Sequence, residues 1–581
     1  MNMSLRILLK NVIPIVVMLA ISPGCANEDE WNEFWGTGPK NQPAAGARTE
    51  ETRIDVRDTI APLVTVEGMR LNNVRGYGLV TDLVDTGGRD GPEIVKDYLF
   101  KEIERRQDPS RPNTRPAGDF LNSKDSAIVE ITGWIPAGAE KGDRFDVFVK
   151  ALGSEATSIV GGRLFIGELK LYAETPSGIL SSATLATASG PVFVSPFNRK
   201  GKPTDKVDLT FGVVFGGGVV TEDRKIRLVL NDPSPSIAKR IEREINSRYG
   251  GLEKIAVGER TSHINLSVPR EYKQRKAHFL NRILHTPLNS NVEYIARRSK
   301  ELAQAFEEPE PFYDSIGIAL DAIGKSAVPF IERLIASESE PVSYYASRTA
   351  LRLGDRRGLD VVTRHARDPK SDFRNQAIDE LGWATNQYGA GETLRELLDD
   401  ADDEIRIAAY KALRRRPHPA IQTFYLDHDN VVLDVVDSKG PYLIYVRRTM
   451  EPRIAVFGRQ MSVRGPAIFP GERNDGRRLL TRLTAESSDE HLTLLYHNKR
   501  NNVLSPKLKA PLNVAELIQY LCDSPRRLDN GEIHGLAVPY SEMVDILSSF
   551  CDLGSLQSRF VLEGLEDQPD SKSNDREESE Y

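Results

Sequence analysis

The chain has 581 residues, 39% of them hydrophobic and 28% charged, the composition of an ordinary folded protein and not of a disordered one. That length exceeds what one core sustains, so several domains are expected. The formal net charge of −7 gives no basic excess for nucleic acid, and three cysteines cannot form the main framework of so long a chain.

The N-terminus reads as an export signal. Arg6 and Lys10 form a basic region ahead of an apolar run from Val12 to Ile21. About ten apolar residues suit a signal peptide and are too few to span a bilayer as a helix. The run ends in Ser22-Pro23-Gly24-Cys25, which resembles a bacterial lipobox with Ser22 where Leu is usual. That resemblance implies a lipoprotein-type signal peptide over 1–24 and lipid attachment at Cys25. Ordinary cleavage after Ala26, with Gly24 and Ala26 as the small pair, is the alternative. Residues 25–52 are polar with scattered Gly and Pro, as in a flexible tether. Within them Trp31 and Trp35 either share one face of a short helix or form a loose linker pair.

Residues 53–300 are strand-rich. Asn72-Asn73-Val74-Arg75-Gly76-Tyr77-Gly78-Leu79-Val80 is a short apolar strand interrupted by glycines, running on to a turn at Asp85-Thr86-Gly87. Gly76 and Gly78 mark sharp bends or close approach of another segment. Ala127 to Ile135 and Arg144 to Val149 are β-type runs joined by the loop chemistry of Ala137 to Asp143. Gly161-Gly162 opens another strand, followed by runs at Leu169 to Ala173 and Gly178 to Ala188. The pattern then becomes strand (Lys225 to Leu230), helix (Ser236 to Tyr249) and strand (His263 to Val268), with Ile237, Ile241 and Ile245 forming one apolar helical stripe. Pro269 to Leu284 is expected to be helical.

Taken in order, five pieces of this block resemble the bacterial flagellar P-ring protein family. They are Gly76-Tyr77-Gly78-Leu79-Val80, the Ile135-Pro136…Gly142-Asp143…Asp146-Val147 hairpin, the Gly161-Gly162 turn, Gly216-Gly217-Gly218-Val219-Val220-Thr221-Glu222, and Leu228…Asn231-Asp232-Pro233-Ser234…Ile241…Ile245-Asn246. The resemblance implies a mixed β/α domain and a structural role in the periplasmic bushing around the flagellar rod. The family's closing strands are not recognisable after Pro287-Leu288, where the chain turns helical.

Residues 301–418 hold an internal repeat. Ala319-Leu320-Asp321-Ala322-Ile323-Gly324, Ala350-Leu351-Arg352-Leu353-Gly354 and Ala377-Ile378-Asp379-Glu380-Leu381-Gly382 recur, and a fourth copy at Ala409 to Arg414 lacks the glycine. Each is followed by a second helix, such as Ala327 to Ala336 or Gly358 to His365. Such pairs predict a short α-solenoid and resemble HEAT repeats. Residues 419–563 predict a β-rich α+β module, with strands at Val431 to Val436, Tyr442 to Val446, Arg453 to Phe457 and Leu492 to Tyr496, and helices at Val514 to Cys522 and Tyr540 to Phe550. Residues 564–581 form an acidic tail nearly free of apolar groups, the composition of a disordered segment.

No motif supplies catalysis. Asp85-Thr86-Gly87 is the aspartic-protease tripeptide, but that chemistry needs two carboxylates sharing a proton and the chain has no second copy. Gly216-Gly217-Gly218 lacks the Lys-Ser/Thr of a phosphate loop, so a turn or close packing is expected. Asp399-Asp400-Ala401-Asp402-Asp403-Glu404 lacks the glycine and distal glutamate of an EF-hand, and reads as a cap for the helix starting near Glu404. The nine histidines include no pair at metal-ligand spacing on one helix. His365, His418 and His534 are isolated. Arg297-Arg298 and Arg414-Arg415-Arg416 read as solvated faces. Cys522 and Cys551 either form a disulfide in an oxidising compartment or remain two buried thiols. No metal or cofactor is expected.

The P-ring resemblance implies copies that assemble side by side into a ring around the rod, with other basal-body ring proteins and peptidoglycan as neighbours and the outer membrane reached through the lipid. The alternative is a periplasmic scaffold lipoprotein that binds envelope partners through its solenoid.

Overall fold

The computed structural model describes residues 58–106, 116–175, 178–195, 208–251, 253–259, 262–384, 387–427, 430–464, 481–487, 491–498, 503–504, 507–527 and 533–564. The expected signal peptide, Cys25, the tether with Trp31 and Trp35, and nearly all of the acidic tail lie outside them.

Alternation of apolar and polar residues builds the first unit. Ala127–Ile135 and Arg144–Ala151 send Val129, Ile131, Ile135, Phe145, Val147 and Val149 to one face, and that face closes on itself. The result is an antiparallel barrel in the order Asn72–Thr81, Ala127–Ile135, Arg144–Ala151, Phe211–Val220, Ala186–Pro191, Arg163–Leu169. Val80 pairing with Leu164 and Thr81 with Arg163 makes the closure. The run expected from Gly178 to Ala188 is divided. Gly178–Ser181 forms a hairpin with Tyr172–Thr175, while Ala186–Pro191 enters the barrel. The break falls where Leu185 N–H returns to the Leu169 carbonyl and re-establishes the barrel ladder.

Beside the barrel lies a four-stranded antiparallel sheet of Val64–Glu67, Ile226–Leu230, His263–Leu266 and Ala256–Glu259. The helix Pro235–Tyr249, capped by the Ser234 hydroxyl, lays Ile241 and Ile245 on it, as the four-residue stripe predicts. The helix expected from Pro269 begins as a 3-10 turn over Arg270–Arg275 and becomes α-helical at Lys276–Leu284. Helices continue from there: Val292–Ala305, Tyr313–Ile323, Val328–Ile335, Glu340–Arg352, Arg356–Arg367, Arg374–Trp383, Ala390–Leu397 and Asp403–Leu413. The repeated glycines are not equivalent. Gly324 and Gly354 follow helix ends at φ 91° and 86°, a conformation that favours glycine. Gly382 is instead still helical, and an added Cβ would lie 2.8 Å from that of Ala412 on the next repeat.

The strands after the solenoid form a mixed sheet in the order Ile421–Leu426, Val431–Val436, Arg453–Phe457, Leu443–Val446, Arg559–Leu562. Every residue of its three central strands is buried, so both faces are covered. Leu433, Val435, Ile444, Val446, Ile454 and Val456 face Val514–Cys522 and Tyr540–Asp552. Val436, Leu443, Tyr445, Ala455 and Phe457 face the last solenoid helices, including Tyr410 and Leu413. The change from helix to strand after residue 418 therefore lies within one continuous core.

A buried carboxylate fixes that contact. Asp434 accepts hydrogen bonds from Tyr410 Oη at 2.5 Å, Thr423 Oγ1 at 2.6 Å and Arg453 Nη1 at 2.7 Å. Replacing Asp434 with Ala would strand the buried Arg453 charge and the Tyr410 hydroxyl. Denaturant unfolding of Asp434→Ala is expected to show a loss of about 3–5 kcal/mol in the transition that includes the solenoid.

Candidate functional site

The motif residues singled out in the sequence gather around the barrel wall. Gly76, Tyr77 and Gly78 pair with Ile131, Glu130 and Val129. A side chain at Gly76 would overlap the Glu168 carbonyl oxygen on the strand that closes the barrel, so the glycine permits close approach there. Gly161 turns at φ 70° into the Arg163–Leu169 strand. At Gly162 a Cβ would meet Val80 at 2.5 Å and Leu83 at 2.7 Å, which places the turn against the same closure. Gly217 and Gly218 lie within the Phe211–Val220 strand, and Gly218 sits against the Phe145 ring. The triplet is thus packed strand with a bulge at Gly216 (φ 55°), and no helix N-terminus follows it. Asp85-Thr86-Gly87 is a loop held by Thr86 Oγ1 donating to the Ser158 carbonyl at 2.8 Å and Gly87 N donating to the Lys124 carbonyl at 2.8 Å. These positions shape a wall; they do not converge on a reaction centre.

Two seams join this unit to the rest of the chain. At the first, Asp146 accepts from the Gly216 amide at 2.7 Å and from the Met450 amide at 2.8 Å. Its environment withdraws water from the carboxyl and pushes it up to about 6, against the pull of those two amides. Nearby, Phe193 and Phe215 from the barrel side meet the Tyr540 ring at centroid distances of 5.7 and 6.1 Å. Tyr540 donates onward to the Arg447 carbonyl at 2.7 Å.

The second seam centres on Asp321, which is 1% exposed on the Tyr313–Ile323 helix. From Lys276–Leu284, Arg282 Nε and His278 Nε2 each lie 3.2 Å from its Oδ2. Arg248 Nη1 donates to the carbonyls of Ala322 and Ile323 at 3.2 Å, satisfying the end of the same helix. Burial works to raise the Asp321 carboxyl, but His278 and Arg282 outweigh it and hold the group below its ordinary value. His278 is also held below its ordinary value, because burial outweighs the attraction of Asp321 and the Arg352 and Arg275 charges add to it. One repeat further on, the buried Glu380 pairs with Arg352. The sequence carried one signal for this seam: Asp321 sits among Ala319, Leu320, Ala322 and Ile323, where a buried carboxylate needs partners. Nothing local named His278 and Arg282 as those partners.

Cys522 and Cys551 lie on the two helices beneath the mixed sheet as free thiols, so the structure contains no bond between them. Burial raises the Cys522 thiol far above its ordinary value and pushes Cys551 up to about 12. The acidic run acts as the sequence suggests: Asp402 accepts from the Glu404 amide at 2.9 Å as helix cap. Asp400 pairs with Arg374, and Asp399 accepts from the Lys439 amide at 2.6 Å. Arg297 and Arg298 pair with Glu301. Arg414 and Arg415 depart from a purely solvated face, pairing with Glu451 and Asp379. Among the described residues no group of His, Cys, Asp and Glu is arranged to hold a metal ion.

The Asp321 seam gives a signed pH dependence. His278 prefers to be neutral in the fold, so its contribution is complete above its unfolded value of about 6.5 and is lost as pH falls below it. Asp321 acts in the same direction at still lower pH. Thermal unfolding from pH 7 to 5 is expected to show falling stability in the native chain and a flatter profile in His278→Asn.

The family model described as flagellar P-ring protein matches residues 59–297, and that of HEAT repeats matches residues 326–422. A flagellar P-ring protein of Caulobacter vibrioides is 31% identical over 205 residues, 34% of this chain and 52% of the relative. That of Aquifex aeolicus is 28% identical over 222 residues, 37% and 57% of the two chains. The flagellar P-ring protein 1 of Bradyrhizobium diazoefficiens is 28% identical over 242 residues, 40% and 60%. The chain thus spans between about half and three-fifths of the length of these curated relatives. The barrel and its neighbouring sheet at residues 59–297 are a flagellar P-ring protein domain, followed by HEAT repeats at residues 326–422.

Proposed function

We propose that this chain is a structural component of the flagellar basal body, a P-ring protein whose copies surround the rod in the periplasm and serve flagellum-dependent motility. The observation that carries this reading is the P-ring match over residues 59–297, which spans the barrel, its glycine-lined closure and the adjacent sheet. In this reading copies associate head to tail, the contact that closes a ring by rotation. Cys25 carries lipid into the outer membrane, peptidoglycan lies alongside, and the other ring proteins are neighbours. The role is assembly and not catalysis, in keeping with a wall built by glycine packing.

One observation favours a second reading, a periplasmic scaffold lipoprotein that binds envelope partners through its solenoid. After Pro287, which bridges back to Thr59, the chain enters helices that merge with the C-terminal core. In that reading the P-ring domain is a mount for the solenoid.

Quantitative mass spectrometry of purified basal bodies separates the two. Recovery in proportion to the other ring proteins is expected for a P-ring component. Absence from basal bodies, with the chain present in the membrane fraction, would overturn the ring assignment in favour of the scaffold.

A further inference from the structure

At the seam where the Arg270–Arg275 turn faces the solenoid there is a cleft of about 570 Å³, within the size range of ligand sites. Seven Lys or Arg residues line it against three Asp or Glu, in a chain whose net charge is −7. Four of the cations are already neutralised: Arg282 by Asp321, Arg352 by Glu380, Arg415 by Asp379 and Lys273 by Glu140. Among the described residues Arg270, Arg275 and Arg416 have no ion-pair partner, Glu271 is the one lining carboxylate outside an ion pair, and Arg275 feels Glu380 and Asp321 only at longer range.

Arg275 is the most constrained of the three. Its guanidinium carbon lies 4.4 Å from the centroid of the Trp383 ring and 5.5 Å from that of Tyr272. Arg415 stands 4.1 Å from the centroid of the same Trp383 ring. The two rings confine the Arg275 guanidinium. Its Nε is buried without a hydrogen-bond partner, and burial lowers its affinity for its proton. A partly desolvated guanidinium charge is costly by itself, and an anion entering the cleft that Arg275 lines offsets that cost.

We propose that this cleft binds a carboxylate-rich peptide segment of a partner protein, with Arg275 as the fixed fork and Arg270 and Arg416 at the rim. A planar fork suits a planar carboxylate. The cleft volume exceeds the needs of one inorganic anion, and the unpaired cations come from two separate elements, the Arg270–Arg275 turn and the segment just after the last solenoid helix. An extended acidic segment meets both. The joint between P-ring domain and solenoid would recognise such a segment whether or not copies form a ring.

Fluorescence anisotropy of the full chain with a labelled octapeptide of alternating Glu and Gly tests it. Saturable binding that weakens with salt is expected. It should weaken roughly ten-fold or more in Arg275→Gln and in Arg275→Lys, where charge remains but the fork is gone. Arg416→Gln, at an exposed position that the fold does not need, should weaken it as well. Arg333→Gln, outside the cleft, should leave it unchanged. Absence of saturable binding, or equal binding by native chain, Arg275→Gln and Arg416→Gln, would overturn the proposal. Displacement by inorganic phosphate at the same concentration as by unlabelled peptide would overturn it too, by identifying a simple anion site.

Discussion

A β-sheet whose central strands are buried on both faces needs two covering layers, and this constraint organises the C-terminal half of the protein. Val431–Val436, Leu443–Val446 and Arg453–Phe457 are buried on both sides and mostly apolar. The helices Val514–Cys522 and Tyr540–Asp552 supply one layer, and the last turns of the solenoid supply the other. An array of helix pairs ordinarily exposes its terminal face and needs a cap. Here the sheet caps the array and the array completes the sheet. Asp434, which accepts from Tyr410 and Arg453 inside that contact, selects one docking geometry, because a shifted register would leave a buried charge without its partner.

The same logic of shared burial operates where the P-ring domain meets the rest. Asp146 binds an amide from the barrel bulge and another from the loop at Met450. Phe193 enters the core beneath the mixed sheet. Asp321 pairs with Arg282 and His278 of the preceding unit. Each seam uses a carboxylate that its own element cannot satisfy, so the modules specify one another's placement through unmet polar groups as well as apolar area. This places the solenoid at a defined position relative to the barrel, and the cleft at Arg275 is lined by residues of both.

Much of this was legible locally. Alternation gave the barrel strands, the stripe of Ile237, Ile241 and Ile245 gave the helix on the second sheet, and recurring Ala-Leu/Ile…Leu/Ile-Gly units gave the solenoid. The acidic run was readable as a cap because Asp402 acts on its own helix. Other readings failed for physical reasons. The run from Gly178 to Ala188 looked like one strand, yet it divides where the chain must return to the barrel ladder. The glycine shared by three copies of the repeat looked equivalent, yet Gly324 and Gly354 follow helix ends while Gly382 lies within its helix, close against Ala412. The sequence leaves Cys522 and Cys551 open between a disulfide and two separate thiols, and in the fold they stand as free thiols, Cys522 buried and Cys551 partly so. Arg414 and Arg415 looked solvated, yet both have carboxylate partners distant in sequence.

By itself the sequence determined what depends on neighbours along the chain: element types, caps, turns, the repeat, and the ordered motifs that mark a P-ring domain. Only the tertiary structure decided what depends on groups brought together from far apart. That includes the closure that makes Gly76 and Gly162 necessary, the single core shared by solenoid and sheet, and the partners of Asp146, Asp321 and Asp434. It also includes the stacking of Arg275 and Arg415 on Trp383. Periodicity reports which face of an element is apolar, but not which other element will cover it, and a lone carboxylate or arginine in a sequence does not state what it will meet.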